Sequence, residues 1–385
     1  NENQLLPDGY LPIRTGYIFL GYYTQNGVEV FDENGSAVFG NSYWNSNGQW
    51  IYANDLTVYA DWEEIEYSVV VDNNNNTQAN LPQSLYFNDV LQVEIPEYAG
   101  YDFVGWLADG IDIDTALYGE NGTPNQSFTD NMTSALANRF RRLSSVEDGI
   151  VTLTAQWEPS TFTVTLDANG GSVEPSTIDV TYLDTYGGNV GGTLPIPTYE
   201  GYLFKGWYSE SDGGEQILAS TVYTLTDDST IYAQWEDTWA NHASDELTQE
   251  GSYYIVNSEQ DLALVIRMIN FSSQSSYLNM NIRLTSDLDM SDYTWYPIGT
   301  SNRAFRGVFE GNGHIITGLQ TYYNENVPNY FNYIGLFGYT NGATIENLFV
   351  RGVDVVGGSY VGGIVGYAIG STNINGCAFS GTITG

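Results

Sequence analysis

Apolar and polar residues alternate along residues 161–167 and again along residues 177–182. A period of two predicts strands with one buried face. Between the two stretches lies Asn169-Gly170-Gly171, whose residues tolerate the left-handed backbone conformation of a tight turn. The pattern therefore predicts a β-hairpin, and residues 222–235 predict the last strands of the same module.

Two strand-like phrases recur three times in the first 237 residues. A Gly-Tyr-x-Phe-x-Gly-aromatic phrase occupies residues 16–22, 100–106 and 201–207, and a phrase ending in Trp closes each copy at Trp62, Trp157 and Trp235. Repetition of one pattern predicts a tandem array of one small fold. We expect modules at residues 1–63, 64–158 and 159–237, the first partial or variant and the second with an insertion.

The repeated Trp and Gly residues are interpreted as core packing and tight backbone bends, in preference to a platform for carbohydrate. Trp207 is accordingly predicted to be buried. In the second module, the spacing of Ala, Leu and Arg over residues 129–144, which follow Asn121-Gly122, predicts a short inserted helix.

These residues resemble the internalin-type B repeat, also called the Listeria-Bacteroides repeat. The resemblance rests on residues 167–171, the proline-spaced approach at residues 194–197, and the two recurring phrases of the third module. It implies tandem β-grasp, ubiquitin-like modules on bacterial surface proteins. The second module departs from the pattern at residues 72–76, where an Asn run replaces Gly-Gly, and we expect a turn there because Asn also tolerates the left-handed conformation.

A second periodicity follows a linker-like stretch at residues 237–251. Residues spaced by 29 or 28 form ladders that are rich in β-branched residues and glycine, which predicts coils of a parallel β-solenoid with the ladder positions inside. The ladders are Ile316, Ile345 and Ile374; Leu319, Leu348 and Cys377; and the Gly307, Gly335 and Gly363 phrases.

A helix is predicted over the N-terminal end of this solenoid. Ser258 begins a capping-box-like sequence, and Leu262, Val265, Ile266 and Ile269 follow at helical spacing. Such a cap covers strand edges that would otherwise invite association.

The glycine-rich phrase at residues 360–366, with a degenerate copy at residues 333–338, resembles the GLUG motif. Lead-in phrases at residues 284–290, 295–299 and 305–314 match the same family. The resemblance implies adhesins and the non-catalytic regions of immunoglobulin-A-protease-like surface proteins. We therefore expect a mostly β chain: tandem β-grasp repeats followed by a right-handed parallel β-helix at residues 238–385 with an N-terminal capping helix.

Charge narrows the classes of partner. The chain has 47 acidic and 10 basic residues, for a net charge of −37. Such a surface repels phosphate backbones and anionic headgroups, so nucleic acid and membrane surfaces are not expected as partners. Arg139, Arg141 and Arg142 are the one basic cluster, interpreted as a solvated helix face rather than an anion site. No stretch reaches the roughly 18 apolar residues of a membrane span.

Few residues have a pattern that is typical of a catalytic or metal-binding site. Asp287, Asp289 and Asp292 are a possible calcium or sugar-hydrolysing cluster, although a structural turn is the preferred interpretation. His242 and His314 fall on the linker and on a glycine turn without zinc spacing, and the single Cys377 is read as a small buried apolar residue. No catalytic, cofactor-binding or metal-binding residue is assigned, and no cofactor is expected.

The sequence favours a non-catalytic adhesin-like protein of the bacterial surface, monomeric, with the repeats as a stalk and the β-helix for display. Host glycans, mucin or matrix proteins are the candidate ligands, and the export signal and anchor are expected outside this chain. Two alternatives stay open: an accessory region of a larger secreted protease or polysaccharide-degrading enzyme, and a spacer without ligand. The candidate contacts are exposed aromatic residues: Trp44, Trp50, Tyr322, Tyr323, Tyr330 and Tyr333.

Overall fold

The computed structural model describes residues 11–109, 117–118, 123–124, 139–326 and 328–385. The chain divides into two compact units, Asn1–Ser160 and Thr161–Gly385. The described residues are mostly in β-strands, and one α-helix occurs among them.

The first unit contains the first two repeats. In the first repeat, an antiparallel sheet has the order β2-β1-β3. In the second repeat, a mixed sheet has the order β5-β4-β11-β7, with β4 and β11 parallel, and a small second sheet has the order β6-β10-β8-β9. The strands are β1 Tyr17–Tyr23, β2 Glu29–Asp32, β3 Tyr59–Glu64, β4 Glu66–Asp72, β5 Gln83–Tyr86, β6 Leu91–Gln92, β7 Tyr101–Asp109, β8 Leu117–Tyr118, β9 Thr123–Pro124, β10 Arg139–Arg141 and β11 Ile150–Pro159.

The third repeat opens the second unit with a five-stranded sheet of order β13-β12-β16-β14-β15. Its first two strands are the predicted hairpin, and β12 also runs parallel to β16 at the centre of the sheet. The strands are β12 Thr161–Asp167, β13 Thr177–Thr181, β14 Tyr202–Tyr208, β15 Gln216–Ile217 and β16 Ser229–Asp237.

The recurring glycine phrase has one backbone form in all three copies. Its first glycine has a φ near +80° in each, at Gly16, Gly100 and Gly201, which favours a residue without a Cβ. Just before the second glycine, each strand carries a β-bulge. Trp207 is 3% exposed, and its Nε1 donates to the Pro195 carbonyl over 2.8 Å, as the core interpretation requires.

The Asn run of the second repeat makes the same turn as Asn-Gly-Gly in the third. Asp72 accepts the backbone N–H of Asn74 over 2.9 Å, as Asp167 accepts that of Asn169 over 2.8 Å. Both asparagines have positive φ, and each donates its side-chain amide to a carbonyl of the closing strand. The expected turn is therefore present without glycine.

The described end of the inserted segment, residues 139–144, contains a short strand and no helix. Residues 129–138 lie outside the described residues, and β10 replaces the helix predicted to continue through residues 139–144. Phe140 is fully buried between strands β6 and β8.

Residues 238–385, called here the parallel-sheet region, contain two stacked sheets and a short pair. Their orders are β17-β18-β19-β21-β24-β27, β20-β22-β25-β28 and β23-β26, and all pairs except β17–β18 are parallel. The strands are β17 Gln249–Glu250, β18 Tyr253–Val256, β19 Asn281–Leu284, β20 Leu288–Asp289, β21 Val308–Glu310, β22 Ile315–Thr317, β23 Phe337–Asn341, β24 Thr344–Glu346, β25 Phe349–Val356, β26 Val365–Ile369, β27 Asn373–Asn375 and β28 Ala378–Thr384.

The predicted ladders are correct in their last step and wrong in their first. Ile345 pairs with Ile374, and Phe337 with Val365, as the period of 28 to 29 requires. Ile316, however, pairs with Val350 rather than Ile345. Leu319 and Gly307 are displaced from their predicted partners in the same way, because residues 320–333 lengthen this step of the chain.

The predicted helix is present as α1, Glu259–Ile266. Ser258 caps it by accepting the Asp261 N–H over 3.2 Å, and its apolar face is fully buried against β18. Helical turns continue to Phe271.

The stretch at residues 237–251 is not a linker over its first part. Trp239 and Ala240 are at most 1% exposed, within the core of the parallel-sheet region. The Trp239 Nε1 donates to the Met290 carbonyl over 2.9 Å.

Candidate binding surface

Four of the predicted contact residues lie on the segment that lengthens the coil, residues 320–333, called here the aromatic loop. Its four tyrosines are half-buried rather than exposed, and three of them pack edge-on against Phe331. Their ring centroids lie 5.6, 5.8 and 4.9 Å from that of Phe331, for Tyr322, Tyr323 and Tyr330 respectively.

The aromatic loop contacts the third repeat at its β-bulge. A bulge leaves a backbone group without a partner in the sheet, and the Asn324 amide donates to the Lys205 carbonyl at this position. Tyr330 adds an edge contact to Phe204, with ring centroids 6.5 Å apart. The loop thus joins the two parts of the second unit.

A second contact is made at the turn glycine of the third repeat. The Gly201 carbonyl accepts the Thr238 hydroxyl over 2.6 Å and the Asn241 amide over 2.9 Å. Thr294 also donates to Glu236 over 2.8 Å. Trp239, which follows Thr238, is buried in the core of the parallel-sheet region. These hydrogen bonds therefore attach the third repeat directly to that region.

A cavity of about 300 Å³, called here the loop cavity, lies between the aromatic loop and residues 295–301, and Leu203 of the third repeat also lines it. Its lining contains no charged side chain: aromatic residues form its walls, and hydroxyl and amide groups supply polarity. The lining residues are Leu203, Trp295, Tyr296, Pro297, Gly299, Thr300, Ser301, Thr321, Tyr322, Tyr330, Phe331, Asn332, Tyr333 and Ile334.

Four tyrosines form a patch beside this cavity, called here the tyrosine face: Tyr333, Tyr339, Tyr360 and Tyr367. Tyr333 stacks on Tyr360 with ring centroids 5.0 Å apart and planes within 5°. Tyr339 and Tyr367 are also 5.0 Å apart, and Tyr360 is 53% exposed. The members lie on or just before the paired strands β23 and β26, and Tyr333 belongs to both the face and the cavity lining.

Burial perturbs the tyrosines of this region. It raises the pKa of Tyr296 far above the ordinary value of 10.0, with a smaller contribution from Tyr330. Desolvation likewise raises the pKa of Tyr330 itself and of Tyr339, the latter with added effects of Tyr367 and Tyr333. These hydroxyls are neutral hydrogen-bonding groups throughout the physiological range.

A separate aromatic cluster lies in the first unit on residues 43–52, called here the tryptophan hairpin. Trp44 is only 9% exposed, so the prediction of an exposed contact is wrong for this residue, whereas Trp50 is 41% exposed. Their rings are 5.2 Å apart at 76°, and Tyr43 stacks on Trp50 at 6.0 Å.

Two aspartates of the proposed calcium cluster, Asp287 and Asp289, accept hydrogen bonds from different backbone groups. Asp287 accepts the Ile315 N–H over 2.9 Å and lies 3.1 Å from His314 Nδ1, and these contacts hold its pKa below the usual range despite slight desolvation. Asp289 instead accepts the Ser291 N–H over 3.2 Å. Within the described ranges, no group of three or more His, Cys, Asp or Glu side chains has metal-binding geometry.

His242 does not lie on a linker. Its ring stacks on Tyr293 with centroids 3.5 Å apart, and its Nε2 lies 2.8 Å from Asp237 Oδ2. Burial opposes ionisation of Asp237, but hydrogen bonds from Asn241 and His242 outweigh it and lower its pKa. The contacts of His242 with Tyr293 and with Asp237 therefore stabilise the segment that follows the third repeat.

Cys377 occupies the position after Gly376 at the edge of the core. It is half-buried, and desolvation raises the pKa of its thiol, which disfavours the reactive thiolate.

The basic cluster lies on strand β10 and the residue after it, not on a helix face. Its last member, Arg142, makes contacts within the first unit. Arg142 donates from Nε to the Asn88 amide oxygen over 2.8 Å, and its guanidinium lies 5.3 Å from the Phe87 ring centre.

Of the residues on the tyrosine face, only Tyr333 is among those selected from the sequence. Tyr339 and Tyr367 are 28 positions apart and Tyr333 and Tyr360 are 27 apart, close to the coil period. That spacing was the signal by which the other three could have been found.

Among the helices of the described residues, none is long and apolar enough to cross a bilayer.

Two family models match the chain. The Listeria-Bacteroides repeat domain matches residues 162–234, and the GLUG motif matches residues 357–384. These matches confirm both resemblances: the third repeat is a Listeria-Bacteroides repeat domain, and the last coils contain a GLUG motif.

Relatives come from Evansella cellulosilytica. One, named as a Gly-rich membrane protein, is 27% identical over 237 residues, which cover 60% of this chain and 22% of the relative. Another, named as a membrane protein, is 27% identical over 224 residues, covering 58% of this chain and 27% of the relative. The matches thus span about a quarter of the length of these curated relatives.

Proposed function

We propose that the chain is a non-catalytic, adhesin-like part of a bacterial cell-surface protein, in which the repeats act as a stalk and the parallel-sheet region displays a binding surface. The two matched domains and the membrane-protein names of the relatives support a surface location. Host glycans, mucin and matrix proteins are the proposed ligand classes.

The proposed fold of the repeats is a β-grasp. The third repeat has a central parallel pair, β12 and β16, flanked by antiparallel strands in the order β13-β12-β16-β14-β15. The second repeat has the same order in its main sheet. Such small modules, joined in series, suit a stalk that holds a binding surface away from the cell better than they suit catalysis.

The proposed fold of residues 238–385 is a right-handed parallel β-helix capped by α1. Successive strands of each sheet pair in parallel, and apolar residues such as Phe309, Ile345 and Val350 are fully buried inside. Connections between parallel strands are right-handed in almost all known cases, which supports the hand.

The tyrosine face is the observation that carries the binding role. Aromatic rings that stand on a surface combine a flat apolar face with a hydroxyl, which suits contact with sugars and with protein side chains. Tyr360 is half exposed in the stack, although burial would be favoured for so large a ring in a purely structural position.

An accessory role in a larger secreted enzyme is the second candidate. The relatives are about four times longer than the segments they share with this chain, which leaves room for other domains in proteins of this kind. The tyrosine face would then target the enzyme to its substrate. A ligand-free spacer is the third candidate.

An array of glycans, mucin and matrix proteins tests the proposal with the whole chain. We expect binding that Tyr360→Ala weakens by about tenfold, since stacking of one aromatic ring contributes on the order of 1 kcal/mol or more. Tyr59→Ala, which removes an equally exposed tyrosine from the first unit, is the matched control. Absence of binding to every class would favour the spacer.

A further inference from the structure

We propose that the loop cavity and the tyrosine face together form one site for an uncharged saccharide chain, with a terminal sugar ring in the cavity and the following rings along Tyr333 and Tyr360. The inference rests on the proposed binding function and names its ligand class and its site.

The charge of the lining selects against ions. None of the residues that line the loop cavity is Asp, Glu, Lys, Arg or His, in a chain whose net charge is −37. A buried anion would meet no cation there, and the surrounding field would repel it during approach. A cation would meet no carboxylate in the lining. A neutral ligand would bring no unpaired charge into the cavity and would not be repelled by the negative charge of the chain.

The polar groups of the lining suit hydroxyl groups of a ligand. Asn332 carries a buried Oδ1 without a hydrogen-bond partner, and a buried acceptor without a donor is unfavourable by about 1–3 kcal/mol. Thr300 and Ser301 add hydroxyls at the rim. A sugar hydroxyl can donate to an amide oxygen and accept from a neighbouring hydroxyl in the same site.

The apolar groups of the lining suit the carbon face of a sugar ring. Tyr296, Tyr322 and Tyr330 present aromatic surface, and their hydroxyls remain protonated because burial raises the pKa of each. A volume of about 300 Å³ is at the lower end of the range for small-molecule sites. One or two sugar rings match it better than a folded protein surface does.

Tyr333 makes the cavity and the tyrosine face continuous. It lines the cavity and stacks on Tyr360, whose exposed ring lies on the next coil. A linear ligand can therefore extend from the cavity to the tyrosine face without meeting a charged side chain of the lining.

Calorimetric titration of the whole chain tests this site. The probes are uncharged tetrasaccharides of glucose, of N-acetylglucosamine, and of alternating galactose and N-acetylglucosamine, each compared with a sialylated or sulfated counterpart. We expect at least one uncharged probe to bind, and its charged counterpart to bind about tenfold more weakly or not at all.

Variants at the cavity rim locate the binding. Ser301 is an exposed residue of the lining, so Ser301→Trp can fill part of the cavity without disturbing the core, and Ser301→Ala is the matched control. We expect the Trp variant to weaken binding about tenfold or more, the Ala variant to bind nearly as the parent, and Asn332→Ala to weaken binding at an unchanged melting temperature.

The outcomes separate the two proposals. Binding of only charged glycans or of matrix proteins would overturn the saccharide site and leave the adhesive function standing. Binding of an uncharged probe that is indifferent to both Ser301→Trp and Asn332→Ala would also overturn the site. Silence from every glycan and matrix protein would overturn both proposals.

Discussion

The tryptophan hairpin and the tyrosine face are both aromatic surfaces, but they are built differently. The hairpin gathers Tyr43, Trp44 and Trp50 within ten residues of one chain segment, and Trp44 is buried by its own neighbours. The tyrosine face takes its rings from positions a coil apart, so it exists only while successive coils keep their register. The rings of the hairpin contact residues that are near in sequence, including Phe31 and Phe39, whereas the tyrosine face depends on the pairing of strands about 28 residues apart.

That dependence gives the largest expected effect. Trp239→Ala should destabilise the second unit by about 3–5 kcal/mol, because it removes a buried indole together with its bond to the Met290 carbonyl. The tyrosine face should be lost with it, at temperatures where the tryptophan hairpin remains folded. Thermal unfolding followed by hydrogen exchange of each region measures both effects.

Trp44→Ala is the converse test. Trp44 is also largely buried, but its Nε1 has no hydrogen-bond partner, so its removal should cost less than that of Trp239. Loss of protection in residues 358–367 on this change would contradict the separation of the two surfaces.

A smaller effect is expected from crowding the contact between Gly363 and Phe379, near the C-terminal end of the parallel-sheet region. A Cβ on Gly363 would lie 2.1 Å from the Phe379 ring, so Gly363→Ala should cost about 1–3 kcal/mol as the ring is displaced. Binding through the tyrosine face should weaken, while the near-ultraviolet signal of the tryptophan hairpin stays unchanged. An unchanged melting temperature would mean that the packing around Gly363 can accommodate a methyl group.

The smallest expected effect is that of alkaline pH on the stability of the second unit. It is absent near neutral pH. Tyr296 and Tyr330 have pKa values raised by burial, so the folded state holds their protons more tightly than the unfolded state. Their contribution to stability is complete below about pH 10 and is lost as the pH rises from there through the folded values. Absorbance titration of tyrosine, compared between the parent and Tyr296→Phe, measures the delayed ionisation.

Much of the fold follows from local patterns in the sequence. Alternation identified the hairpin β12–β13, and the serine cap with its apolar spacing identified α1, because both depend on neighbouring residues. The coil period was equally readable where the coil length is constant, as between Ile345 and Ile374. It failed at Ile316, because a spacing rule assumes equal coils and residues 320–333 make one coil longer.

The binding surface was less predictable because it is a property of tertiary contacts. Tyr322 and Tyr330 look exposed in a polar loop, yet Phe331 and the third repeat cover them. Trp239 looks like part of an acidic linker, and only the neighbouring core explains its burial. The absence of charge in the loop cavity combines residues from Leu203 to Ile334, which no local window brings together.

Hydrogen exchange of the whole chain, with and without a saturating uncharged tetrasaccharide, tests the location of the binding surface most directly. We expect slower exchange at residues 297–301, at the described residues of 320–334, and at residues 358–367, with no change at residues 43–52. Slower exchange at the tryptophan hairpin alone would contradict it and move the binding surface to the first unit.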